Sequence, residues 1–102
     1  MAQTPLSAVL STSGDTWMTL VTGASAGTQV TQVTCASNAF GQAKVSMRFT
    51  KGSTSAVIVP GDALPEAASY RYRVGALTLM SGDKLEVKSI GSVDWTLSGA
   101  NL

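Results

Sequence analysis

Histidine, the side chain most often used to move protons near neutral pH, does not occur in this chain. The carboxylates are Asp15, Asp62, Glu66, Asp83, Glu86 and Asp94. Most of them fall in or beside turn-forming stretches, where an aspartate ordinarily caps backbone amides. Serine and threonine are plentiful, but none stands beside an evident base that would activate it. Cys35 is the single thiol, so a disulfide within the chain is impossible. A zinc site built on Cys and His is not expected either. Asp62 in Pro60-Gly61-Asp62 and Asp83 in Ser81-Gly82-Asp83 bring one carboxylate each, whereas a calcium loop gathers several oxygen ligands at close spacing. Cys35 ends an expected strand in a chain with no histidine to activate it, which describes a buried, inert thiol. These residues predict no enzyme, no metal and no cofactor.

The remaining chemistry is recognition. Tyr70-Arg71-Tyr72-Arg73 alternates aromatic and basic groups. On a strand, the two tyrosines share one face and the two arginines the other. This separates stacking groups from cations, unlike a groove for single-stranded nucleic acid. Trp17, Phe49, Tyr70, Tyr72 and Trp95 are expected as core anchors. Arg48, Arg71 and Arg73, on the polar faces of two strands, are the candidate contact residues, since arginine is favoured at protein interfaces.

Seven Lys and Arg balance six Asp and Glu, a net charge of +1 that argues against a nucleic-acid partner. Charged residues are 13% of the chain, against roughly 25% in an average domain. A surface rich in hydroxyls is easier to bury against a partner than one rich in ions. No apolar run reaches the roughly 20 residues of a membrane helix. Met1-Ala2-Gln3-Thr4-Pro5 lacks the features of a secretory signal, which suggests synthesis in a cytoplasm.

Short alternating runs must position these groups. Ala43, Val45, Met47 and Phe49 alternate with polar residues, so one side of a strand is apolar. Lys51-Gly52-Ser53 then turns the chain into Thr54–Val59, a hairpin. Leu85 and Val87, then Val93, Trp95 and Leu97, predict a second hairpin about Gly91-Ser92, with Lys88 near Asp94. Further strands are expected at Leu6–Leu10, Thr16–Val21, Thr28–Cys35, Tyr70–Val74 and Ala76–Leu79. Val30 and Val33 are out of phase by one residue, the mark of a bulge or a doubly buried strand, and Gly75 marks another bulge or bend. Pro60-Gly61-Asp62 and Ser81-Gly82-Asp83 read as turns, and Glu66-Ala67-Ala68 as at most one helical turn. The expectation is one all-β domain over residues 1–102, an antiparallel, jelly-roll-like β-sandwich of about eight short strands, with 1–5 as a flexible arm.

An ordered set of features resembles a known group. After a short first strand comes the small-residue loop Gly23–Gly27, then Val30–Asn38 ending in Cys35-Ala36-Ser37-Asn38. Val45–Thr50 follows, then Leu77-Thr78-Leu79-Met80-Ser81-Gly82-Asp83-Lys84-Leu85-Glu86-Val87 and a last strand ending near Gly99. This resembles the short structural proteins encoded among the virion genes of tailed bacteriophages. The resemblance covers roughly residues 6–99, and the early loop departs from it in lacking Pro-Ala-Gly. It implies a virion protein that is made in the host cytoplasm, oligomerises (as a homotrimer in the preferred version) and docks on the particle. Capsid decoration is the preferred role, with a collar, head–tail, tail or fibre accessory as the alternative. The implied partners are copies of itself and the major capsid protein or head–tail and tail components. A carbohydrate-binding module for host recognition is the alternative from another class. No catalytic residue transfers.

Overall fold

The computed structural model of the chain describes residues 3–37 and 41–102, with backbone alone at 74–76. Seven strands run through it: β1 (Thr4–Gly14), β2 (Met18–Thr22), β3 (Thr28–Ser37), β4 (Ala43–Lys51), β5 (Thr54–Leu64), β6 (Ser69–Leu79) and β7 (Lys84–Asn101). The described residues form no helix. The expected antiparallel all-β fold is therefore what the chain adopts. All seven strands join one hydrogen-bonded sheet of order β5-β4-β7-β3-β6, with β1 and β2 also paired to β7. The sheet curls around a single core cluster, and a separate second sheet is not formed among the described residues.

The organising element is β7. A hairpin was expected about Gly91-Ser92, yet the chain does not reverse there. It continues as one 18-residue strand. Leu85, Val87 and Ser89 are buried in its first half and Val93, Trp95 and Leu97 in its second, each half alternating with a period of two. Gly91 has φ 91°. Thr12 pairs with Val93 and Gly14 with Ile90, so Gly91 and Ser92 lie opposite Ser13 alone. That two-against-one count is a bulge, which bends and twists a strand without ending it. β1 and then β2 flank one edge of β7, and β3 and then β4 flank the other. The two halves of β7 do not pair with each other. Lys88 instead lies 3.4 Å from Asp15, and Asp94 accepts from the Ser11 hydroxyl at 2.6 Å.

Beside the bend lies a buried polar chain. The Trp95 indole donates to Thr12 Oγ1 at 2.8 Å, and Ser89 Oγ donates to the Gly91 carbonyl at 2.8 Å. The Thr12 and Ser89 hydroxyls are 2.6 Å apart. Ser89 has one proton, given to Gly91, so Thr12 donates to Ser89 and accepts from the indole. Every group is then satisfied, the condition for keeping hydroxyls in a core.

Other departures have local causes. Val30 pairs with Gly99 and Gln32 with Ser98, so Thr31 is the extra residue that puts Val30 and Val33 both inside. The paired register of β6 also shifts between Arg73 and Leu77, across Gly75. Pro60-Gly61-Asp62 is not a turn but part of β5, with Gly61 (φ 109°) as an extra residue between the Val45–Asp62 and Ser46–Pro60 pairs. The reversal comes later, where the Ala68 amide donates to the Pro65 carbonyl at 3.1 Å and Ala67 takes φ 58°. Thr4 and Pro5, expected in a loose arm, pair with Asn101 and Ala100. Met1, Ala2 and the Asn38 of the Cys-x-x-Asn stretch lie outside the described residues.

Candidate interaction surface

β5 and β6 are consecutive in the chain yet unpaired, and they stand at the two ends of the sheet order. They splay apart from the Pro65–Ala68 turn and leave a groove of about 470 Å³ between them. Ile58, Val59, Pro60 and Leu77 supply its apolar lining, and Asp62, Arg71, Tyr72 and Arg73 its polar lining. The Tyr72 hydroxyl donates to Asp62 Oδ2 at 2.9 Å and ties the two strands together. Burial, reinforced by that carboxylate acceptor, pushes the Tyr72 phenol well above its ordinary value of 10.0. The ring is a structural donor at neutral pH, not a proton-transfer group.

Arg71 and Arg73 are both exposed on β6, and neither takes part in an ion pair among the described residues. Residues two apart on a strand share a face and sit roughly 7 Å from each other. The result is a pair of available guanidinium groups beside an apolar groove. Tyr70 meets Tyr72 edge-on, with centroids 6.4 Å apart, but is 37% exposed. It is thus not the core anchor the alternation suggested. β6 ends the sheet order, so among the described residues no further strand pairs with its outer edge.

Arg48 lies elsewhere and is already engaged. Its Nε donates to Glu86 Oε1 at 3.0 Å, and its guanidinium lies 4.4 Å from the centroid of Trp17. The Lys88 ammonium sits 4.8 Å from the same ring. Trp17 is half-buried outside the core cluster, in the β1–β2 connection, held by two cations. The expected core anchor is thus a clasp that fixes this connection over β4 and β7. Arg48 belongs to that clasp and not to a contact surface with Arg71 and Arg73. The Thr50 hydroxyl, followed by Arg48, holds the Glu86 carboxyl below its ordinary 4.5. Phe49 is partly buried against the core, and Trp95 is fully buried within it.

Asp83 and Cys35 are held within the fold. Asp83 is buried, accepts from the Met80 amide at 3.0 Å and pairs with Lys51 at 3.1 Å, which closes the Met80–Asp83 turn. Among the described residues, no three His, Cys, Asp or Glu side chains gather closely enough to hold a metal ion. Cys35 is fully buried between its register partners Tyr70 and Trp95, and burial pushes its thiol up to about 11. The thiolate is therefore scarce at neutral pH, and in the folded protein it forms only as the pH approaches about 11. Cys35 is expected to react with an aromatic disulfide reagent at pH 8 only after denaturant is added. Rapid reaction of the folded protein would contradict its burial.

No protein-family model and no curated protein matches the chain.

The groove was not legible in the sequence, because its walls come from two strands whose separation depends on the curl of the whole sheet. The Trp17 clasp had a faint signal. Trp17 sits just before the apolar run of β2, next to Asp15 and Thr16, in a segment where the chain has not yet entered the sheet.

Proposed function

We propose that the protein is a structural component of a tailed-bacteriophage virion that associates with copies of itself and docks on the particle, in the preferred version as a capsid decoration protein. The observation that carries this reading is the pair of guanidinium groups, Arg71 and Arg73, which form no ion pair among the described residues and line an apolar groove between two sheet-end strands. An apolar floor flanked by arginine is a common composition for a protein contact. The fold supports the reading by supplying a rigid scaffold around groups that have structural rather than catalytic surroundings. The mechanism is adhesion alone. Many copies on a symmetric lattice multiply a modest contact through effective concentration. The major capsid protein is the preferred partner, and a head–tail or tail component is the alternative.

Changing Arg71 and Arg73 together to alanine tests the reading. Both side chains are exposed, so the melting temperature is expected to stay within about 2 °C, as for surface substitutions generally. Occupancy on purified particles is expected to fall at least ~10-fold, the effect of losing roughly 1.4 kcal/mol of contact energy. Unchanged incorporation would count against it. A second reading, a carbohydrate-binding module, draws on the exposure of Tyr70 beside these arginines. Saturable binding to a glycan array, lost in Tyr70→Ala, would favour it instead.

A further inference from the structure

Each strand of this sheet that lacks a second partner leaves a row of backbone donors and acceptors open, and three of the four carry a device that discourages pairing. β5 has extra residues at Ile58 and Gly61 and a proline between them. β6 has two arginines and a register break between Arg73 and Leu77. β2 is only five residues long, with a break of its own. β1 carries Pro5 near its start but differs from the other three beyond it. It keeps an unbroken register from Thr4 to Thr12, about 30 Å of strand. No charged side chain occurs from Gln3 to Gly14. Val9, at its centre, is 80% exposed, and Leu6, Ala8 and Leu10 on its inner face are only partly covered.

We infer that β1 is the seam between two copies of this chain, joined edge to edge and antiparallel across a two-fold axis at Ala8. The occupant is a second copy because the strand is complementary to itself. Pairing about Ala8 sets Leu6 against the partner's Leu10, Ala8 against the partner's Ala8, and Ser7 against the partner's Val9. Inner-face residues thus meet inner-face residues, and the partly covered leucines close over one another. An edge without charge meets its own copy without like-charge repulsion, which a charged edge would incur. A two-fold contact uses the same patch twice and closes on itself. A strand seam is smaller than the roughly 800 Å² per partner of a stable interface, so the dimer is expected to dissociate on dilution.

This inference rests on the self-association half of the proposed function and replaces its three-fold version with a two-fold one. Sedimentation of the full chain over a range of concentrations tests it, with two variants at exposed positions. Ser7→Lys with Val9→Lys puts lysine opposite lysine twice across the seam. Ser7→Glu with Val9→Lys puts glutamate opposite lysine twice. The wild type and the Glu/Lys variant are expected as concentration-dependent dimers. The Lys/Lys variant is expected as a folded monomer, its dissociation constant raised at least 10-fold. A wild-type oligomer that the Lys/Lys variant leaves intact, or a trimeric mass, would overturn the seam while self-association stands. A wild type that stays monomeric throughout would overturn self-association as well. Particle binding is then measured separately, and a monomer that loads onto particles through β1 would assign the edge to another protein.

Discussion

Trp95→Ala is expected to cost about 3–5 kcal/mol, the usual range for removing a buried aromatic side chain. For a domain of this size that approaches the whole stability, since folded domains hold only about 5–15 kcal/mol. Trp95 is 1% exposed in the second half of β7, with Leu10 of β1 on one side and Cys35 of β3 on the other. The truncation opens a cavity at the junction of three strands. It also removes the indole donor from the buried chain that runs through Thr12 and Ser89 to the Gly91 carbonyl. Trp95→Phe separates the two effects, because it keeps most of the apolar volume and loses only the donor. Urea unfolding should place it between wild type and alanine, nearer to wild type. If Trp95→Ala unfolds within 1 kcal/mol of wild type, the placement of this ring at the centre of the core is wrong.

Gly99→Ala has the second large effect, through the backbone. A methyl group at Gly99 would run into the carbonyl of Gln29 and crowd the Cα of Val30. The obstacle is main chain on a paired strand, which cannot rotate away as a side chain can. Gly99 pairs with Val30 on one side and Leu6 on the other, so relief requires β3 to move off β7. Overpacking in a tight interior costs typically ~1–3 kcal/mol, and more where the backbone must shift. A loss of about 3 kcal/mol or more is expected, against almost none for Ser98→Ala at the exposed neighbouring position. Hydrogen exchange should show the loss of protection concentrated at Thr28–Gln32. Equal stability of the two variants would mean that β3 and β7 do not approach as closely as described.

Both predictions concern β7, where sequence and tertiary structure divide the work. The alternation of Leu85 and Val87, and that of Val93, Trp95 and Leu97, already specified an inward face for each half of the strand. Gly91-Ser92 suggested a reversal because the same two residues suit a turn and a bulge equally well. Pro60-Gly61-Asp62 misled in the same way, and Gly61 makes a bulge there too. Local chemistry specifies that the chain departs from a regular strand, and the neighbouring strands decide whether it bends or turns back. Around Thr31 the phase slip between Val30 and Val33 already pointed to a bulge or a doubly buried strand, and the pairing with β7 decided for the bulge.

The candidate surface divides likewise. That Arg71 and Arg73 share the polar face of a strand follows from their spacing. That they remain unengaged while Arg48 is held by Glu86 and Trp17 depends on what β4 and β7 place beside Arg48.

By itself, then, the sequence determined the strand character of the chain, its inward faces and the absence of histidine chemistry, because these depend on residue type and period. Only the tertiary structure decided which turns were bends, which arginines stay available and where the sheet's ends part to form a groove. Those outcomes rest on contacts between residues far apart in the chain, and no local pattern encodes the curl that brings them together.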